Sequence, residues 1–232
     1  MPPKPVRCTP EPAGPGLVFE QALWLRGSLM VAGVDEAGRG AWAGPVFAGA
    51  VILPANEGIS RLLDGVNDSK QLTPAQRDKF ADFIRICASS WGVGQASVEE
   101  INTLGILPAT RLAMMRALQV LTPHPTHALV DYVHLPNLDL PQTAIIHGDG
   151  VSLSIAAASI LAKTARDACM QALDVSISGY EFARHKGYGT ALHQRCLAEK
   201  GPSSAHRIHY RPIADLLPGN PADPPNPPVS IV

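Results

Sequence analysis

The chain has 232 residues, 46% of them hydrophobic, which suits one medium-sized domain with a packed core. Its 19 Lys and Arg against 20 Asp and Glu leave a formal charge of -1, so there is no global pull toward nucleic acid or anionic membranes, and any polyanion site must be local. The four cysteines (Cys8, Cys87, Cys169, Cys196) lack zinc-like spacing, and the longest oily run, 41–53, is broken by glycine and proline and is shorter than the roughly 20 residues of a membrane span; a soluble cytoplasmic protein with reduced thiols is expected.

Proline-rich segments mark both ends and read as flexible tails, 1–16 and 218–232, around a folded part at 17–217. "LMVAGVDE" and "GPVFAGAVIL" read as two buried strands of a hairpin, joined by the glycine-rich loop 37–44. Thr73 followed by Pro74 is a helix start, with the helix running through "AQRDKFADFIRICAS". "SWGVGQASV" predicts a third strand, and "SVEEINTLGILPATRLAMMRALQVL" a helical stretch in which Pro108 belongs at a helix start. "HALVDYV" and "TAIIHGD" are further short strands, each with an aspartate near its end. "VSLSIAAASILAKTARDACMQAL" then predicts a long helix whose alanines and serines allow close approach to a sheet, and the remaining third is helical or looped. The fold class is α/β: a mixed-direction sheet with helices on its faces.

Acids sit where three strands are expected to end: Asp35 with Glu36, Asp131, and Asp149. Ligands of open α/β sheets gather at strand ends, and carboxylates meeting there repel unless a cation lies between them. An all-oxygen ligand set favours Mg2+ or Mn2+ over zinc. A lone acid at a strand end is ordinarily a turn residue, and alternation points Asp35 and Glu36 to opposite faces, so both serve one site only if the strand ends or bulges there.

"VAGVDEAGRGAWAGPV", "NDSKQLT", "INTLGILPATRLAMM", "ALVD", "HGDGVSLSIAAASILAKTARD", "HKGYGT" and "HR" at 206–207 occur in the order of the motifs of ribonuclease HII, which the chain resembles from about Val31 to Arg211. The resemblance implies a ribonuclease H-like sheet with a helical C-terminal extension. It also implies an endonuclease that cuts the RNA strand of RNA/DNA hybrids and incises DNA duplexes at single ribonucleotides. The cut would be hydrolytic, assisted by two metal ions, and would leave a 3'-hydroxyl and a 5'-phosphate. Matching motifs residue to residue makes Asp35, Glu36, Asp131 and Asp149 the catalytic metal ligands. Gly38, Arg39 and Gly40 would contact the ribose, and Tyr188 would stack beside the ribonucleotide. Lys163, Lys186 and Arg207 are candidate phosphate contacts, and Ser69 and Lys70 candidate organisers of a loop near the substrate. Monomeric action is the family expectation.

Between Arg184 and Arg211 six Lys or Arg face one acid, Glu199, a basic patch suited to phosphates that should bind less well as salt rises. The pairs His124 with His127 and His206 with His209 have metal-like spacing, but their proline-rich or basic contexts argue against zinc. Two positions depart from the family pattern: Tyr132 follows Asp131 where glycine is usual, and His147 stands where lysine is usual. Two rivals are a ribonuclease HIII-like nuclease, which carries a sizeable N-terminal domain, and a noncatalytic hybrid-binding protein, for which an unfilled acidic cluster would be a hindrance.

Overall fold

Short apolar runs, buried along nearly their whole length in the two central strands, supply the sheet, and longer 3.6-period runs supply the helices. The computed structural model describes residues 14–217; residues 1–13 and 218–232, most of both expected tails, lie outside the described residues. The strands are β1 (Val31–Ala37), β2 (Val46–Ile52), β3 (Ser90–Ala96), β4 (His127–Asp131) and β5 (Gln142–Ile145). They form one sheet in the order β3-β2-β1-β4-β5, in which β2 is antiparallel to both β1 and β3, β4 is parallel to β1, and β5 is parallel to β4.

The helices are α1 (Val18–Trp24), α2 (Gly58–Leu62), α3 (Pro74–Cys87), α4 (Val98–Leu104), α5 (Ile106–Gln119), α6 (Leu153–Ser176), α7 (Phe182–His185), α8 (Ala191–Lys200) and α9 (Arg211–Ala214). Thr73 caps α3 as expected and forms a capping box with Gln76; Ser97 and Glu100 do the same for α4. The helical stretch after β3 is two helices, because Gly105 takes φ 83 and ends the first; Pro108 is then the third residue of α5.

The two faces of the sheet are covered separately. Ala32 and Val34 of β1, with Val46, Ala48 and Ala50 of β2, pack on α5, while Val51 joins α3 and α6 on the other face. That second face approaches its helix closely: a Cβ on Gly33 would lie 2.2 Å from the Ser154 carbonyl carbon, and one on Gly49 2.2 Å from the Ala158 carbonyl oxygen. The small residues expected along α6 are thus matched by glycines on the strands.

Two boundaries differ from expectation. Gly16, assigned to the tail, is tied down: its N–H donates to the Val151 carbonyl at 3.1 Å and its carbonyl accepts from Leu153 N–H at 2.8 Å. Asp149 does not end a strand. β5 stops at Ile145, His147 turns the chain with φ 55, and Asp149 lies in a 3-10 turn, Gly148–Gly150, just ahead of α6.

Candidate active site

Asp35 and Glu36 occupy consecutive positions of β1, opposite Gly49 and Ala48 of β2, with no bulge between them. On the other edge, pairing with β4 stops at Val34 with Val130, so the strand ends on one side only. The Glu36 N–H that would have continued that ladder donates to Asp35 Oδ1 at 2.7 Å. Asp131 is the last residue of β4, and its Oδ1 accepts the Gly148 N–H at 2.6 Å, which ties the turn carrying Asp149 to the end of the strand. The four acids therefore meet where β1 and β4 run out, beside the N-terminal end of α6.

Their electrostatics reflect that meeting. Burial, then Glu36, Asp131 and Asp149, hold the Asp35 carboxyl well above the usual range. Burial also raises Glu36, against the opposing pull of Arg39, and burial raises Asp131, with Asp149 adding to it. Glu36 Oε2 is buried with no hydrogen-bond partner. Among the described residues no three His, Cys, Asp or Glu side chains close into a compact cage. An orphaned carboxylate oxygen within a set of mutually repelling oxygen donors nevertheless fits a hard divalent cation.

Lys70 brings a positive charge of the chain itself to the cluster. Lys70 Nζ lies 3.2 Å from Asp149 Oδ2 and 3.7 Å from Asp68 Oδ1. Partial burial works against its charge, but Asp149, then Asp68, outweigh it and hold the ammonium above its ordinary range. The loop is anchored by the Arg77 guanidinium on the Ser69 carbonyl at 2.9 Å and by a Ser159 to Ser69 hydroxyl bond at 2.8 Å. Sequence reasoning left the role of Lys70 open; only the folded loop shows which acid it meets.

The glycine-rich loop is held by two arginines that are wholly buried. Arg207 donates to the carbonyls of Gly44 at 2.9 Å, Arg39 at 3.0 Å and Ala41 at 2.7 Å. Arg166 donates to those of Pro45, Ala43 and Lys186 at 3.1, 3.2 and 2.9 Å. Arg207 is therefore corrected from a phosphate contact to a clamp on the loop; burial pushes its guanidinium down to about 10, which leaves it cationic at neutral pH. Arg166 is likewise spent on backbone. Gly38 has φ 92 and is packed so tightly on Arg166 that a Cβ would fall 1.8 Å from Nε, so only glycine fits.

With the carbonyls turned inward, the Arg39 and Gly40 N–H groups have no partner among the described residues, and Gly40 is exposed. The Arg39 side chain lies 3.7 Å from Glu36 Oε1 and 5.8 Å from the centroid of the Tyr132 ring. Tyr132 itself has φ 55, the region glycine occupies most easily, which accounts physically for the glycine usual there.

The expected substrate residues of the second loop also converge. The Tyr188 ring has Arg166 5.3 Å and Lys163 5.8 Å from its centroid. Lys163 Nζ bonds Asp167 Oδ1 at 2.6 Å, and Arg77 is 3.7 Å from the same carboxylate, so Asp167 is the partner of those two residues and not of its neighbour Arg166. The Lys186 ammonium lies 3.5 Å from the Asp167 carbonyl. The histidine pairs do not converge on a metal: His127 meets Thr143, His209 meets the Asn102 carbonyl, and His206 faces His193.

A mixed five-stranded sheet with acids at the ends of two adjacent parallel strands places the molecule among the metal-dependent nucleases of ribonuclease H-like fold. Residues 32–212 match the family model of ribonuclease HII. A ribonuclease HII of Chloroflexus aurantiacus is 50% identical over 204 residues, covering 88% of this chain and 96% of that protein. One of Dehalococcoides mccartyi is 46% identical over 205 residues, with the same coverage. The chain belongs to the ribonuclease HII family, and so is an RNase H-type endonuclease of a metal-dependent family that acts on RNA/DNA hybrids.

Among solved structures, the ribonuclease H2 of Pyrococcus horikoshii matches with TM-score 0.60 at 25% identity, over 80% of this chain and 96% of that one. Bst-RNase HIII, solved in complex with Mn2+, matches with TM-score 0.61 at 18% identity over 82% of this chain and 69% of that one, a likeness of fold. No described helix is long and apolar enough to cross a membrane.

Proposed function

We propose that the chain cleaves the RNA strand of RNA/DNA hybrids and incises duplex DNA on the 5' side of single embedded ribonucleotides, acting as a cytoplasmic monomer. Asp35, Glu36, Asp131 and Asp149 would hold Mg2+ or Mn2+, two ions during the reaction. Such ions supply positive charge at the scissile phosphate and acidify an attacking water. The observation that carries this reading is the buried, partnerless Glu36 oxygen in a cluster of acids whose charges help raise the Asp35 pKa, beside a loop whose outward groups are amide N–H donors.

The remaining residues divide the substrate between them. The free N–H groups of Arg39 and Gly40 suit a 2'-oxygen or a phosphate oxygen, the chemistry that distinguishes a ribose from a deoxyribose. Tyr188, backed by two cations, offers a ring face to the adjoining sugar. Lys70, Lys163 and Lys186 supply charge for phosphates, and Lys70 releases Asp149 as it turns to one. Hydrolysis by water at the phosphorus leaves a 3'-hydroxyl and a 5'-phosphate.

The test is incision of a labelled DNA duplex containing one ribonucleotide, with Mg2+ or Mn2+, by the native chain and by Asp35→Asn. Metal-dependent cutting at the 5' side, lost in the variant, is the expected result. Binding without cutting in either metal would overturn it in favour of a noncatalytic hybrid-binding protein.

A further inference from the structure

Three buried histidines lie outside the chemistry above. His185, His193 and His206 are 6%, 0% and 1% exposed and come from α7, α8 and the loop before α9. The His185 and His193 rings stack with centroids 4.2 Å apart and planes 13° apart, Phe182 meets both edge-on, and Trp42 of the glycine-rich loop lies 5.6 Å from His193. Aromatic packing alone would explain their burial. It would not explain their hydrogen bonds.

Backbone partners have fixed roles, so they decide where each proton sits. The Ser203 N–H, which can only donate, lies 2.9 Å from His206 Nδ1; the Ser203 hydroxyl, also at 2.9 Å, can take either role, and the Ser203 carbonyl is farther away at 3.3 Å, so Nδ1 carries the lone pair and the proton of the neutral ring is on Nε2. That Nε2 is 3.0 Å from His193 Nε2, which must accept. His193 Nδ1 then carries its proton and donates it to the Tyr188 carbonyl, 3.0 Å away, the one role a carbonyl permits. His185 is fixed in the same way: Nδ1 accepts the Gly187 N–H at 3.1 Å and Nε2 donates to the Tyr180 carbonyl at 2.6 Å. The assignment of His206 demands that of His193, His185 is fixed independently by its own backbone partners, and all three rings are neutral. Burial first, with further contributions from neighbouring histidines, pushes His193 and His206 down to about 4.

We infer that His206 and His193 form a relay of fixed tautomers that positions Tyr188 for ribose recognition, with His185 holding the preceding peptide. The relay couples the two substrate loops, because Gly187 between those peptides accepts from the Trp42 N–H at 2.8 Å. These are positioning residues: none touches the acids, and they act through the Tyr188 backbone. The inference rests on the proposed role of Tyr188.

Nitrogen-15 NMR of the native chain at neutral pH tests the relay without any activity. The expected signature is Nδ1–H for His193 with Nε2–H for His206 and His185, all neutral. Nε2–H on His193, or a cationic ring, would overturn it. Function is tested with His193→Asn, which keeps a donor near the Nδ1 position, and His193→Leu, which fills the space without one.

Positioning predicts near-native KM for Asn and a KM roughly three- to tenfold higher for Leu on the single-ribonucleotide duplex, the size of one lost hydrogen bond, with kcat changed less. If Asn is impaired as much as Leu, or more, the histidine only packs and the inference fails. If the native chain does not cut this duplex, the functional reading fails, and the NMR signature alone decides whether the relay exists.

Discussion

Asp35 is buried beside three other acids that each raise its pKa. Replacing it with asparagine should have opposite effects on activity and stability. Incision falls at least about a hundredfold, as for loss of a main source of transition-state charge stabilisation. In chelator the variant melts higher, by about 2–4 °C if relief of repulsion is worth about 1 kcal/mol. Calorimetry with and without Mg2+ checks this: the cation should raise the Tm of the native chain more than that of the variant.

Tyr132 makes a second prediction at this scale. A non-glycine residue in the left-handed region costs about 1–2 kcal/mol, and φ 55 places Tyr132 there. Tyr132→Gly should raise Tm by about 2 °C after the entropy of the freer glycine chain is counted. It also removes the ring over Arg39, and an unchanged or lower Tm would show that this contact outweighs the strain.

Helix α6 and the strands beneath it form the unit that places Asp149. Their contact is backbone on backbone at Gly33 and Gly49. Gly33→Ala puts a methyl group into the Ser154 peptide, which cannot rotate away as a side chain would. The expected loss is about 2–3 kcal/mol in urea unfolding, with activity reduced at temperatures where the variant is still folded. The same substitution at Gly40, where nothing lies within 4 Å, should leave stability within about 0.5 kcal/mol. The hairpin, the capped start of α3 and the long α6 were legible because their signals are local: two short apolar runs around a glycine-rich loop, a Thr-Pro start, and an uninterrupted run of good helix formers. The break at Gly105 and the turn at 148–150 were not, because glycine in a helical pattern is compatible with continuation, and a left-handed histidine has no sequence signature.

Across the whole molecule, the folded state holds His193 and His206 neutral down to about pH 4, whereas the unfolded chain protonates them near the ordinary imidazole value of 6.5. The unfolded state then binds more protons between those limits, so their contribution to stability is complete above about pH 6.5 and is lost as pH falls toward about 4. The raised carboxyls Asp35, Glu36 and Asp131 act with opposite sign in chelator, because acidification neutralises their repulsion. A Tm series from pH 7 to pH 4 on the native chain and on His193→Asn, His206→Gln separates the two: the native Tm should fall more steeply than that of the double variant.

The sequence by itself determined the chemistry available: four oxygen-bearing acids at or near the ends of apolar runs, a glycine-rich loop after the first, and motifs in ribonuclease HII order. Those features are readable because each is written in neighbouring residues, and strand ends in a single sheet must come together. Only the tertiary structure decided what the polar side chains do. Arg207 became a loop clamp because its partners are main-chain carbonyls, which every residue has and no motif announces. Lys70 meets Asp149, and His206 meets His193 and not His209, because the fold brings together residues 79 and 13 positions apart. For Arg207, His193 and His206, burial away from solvent then left only the partners that the fold provided.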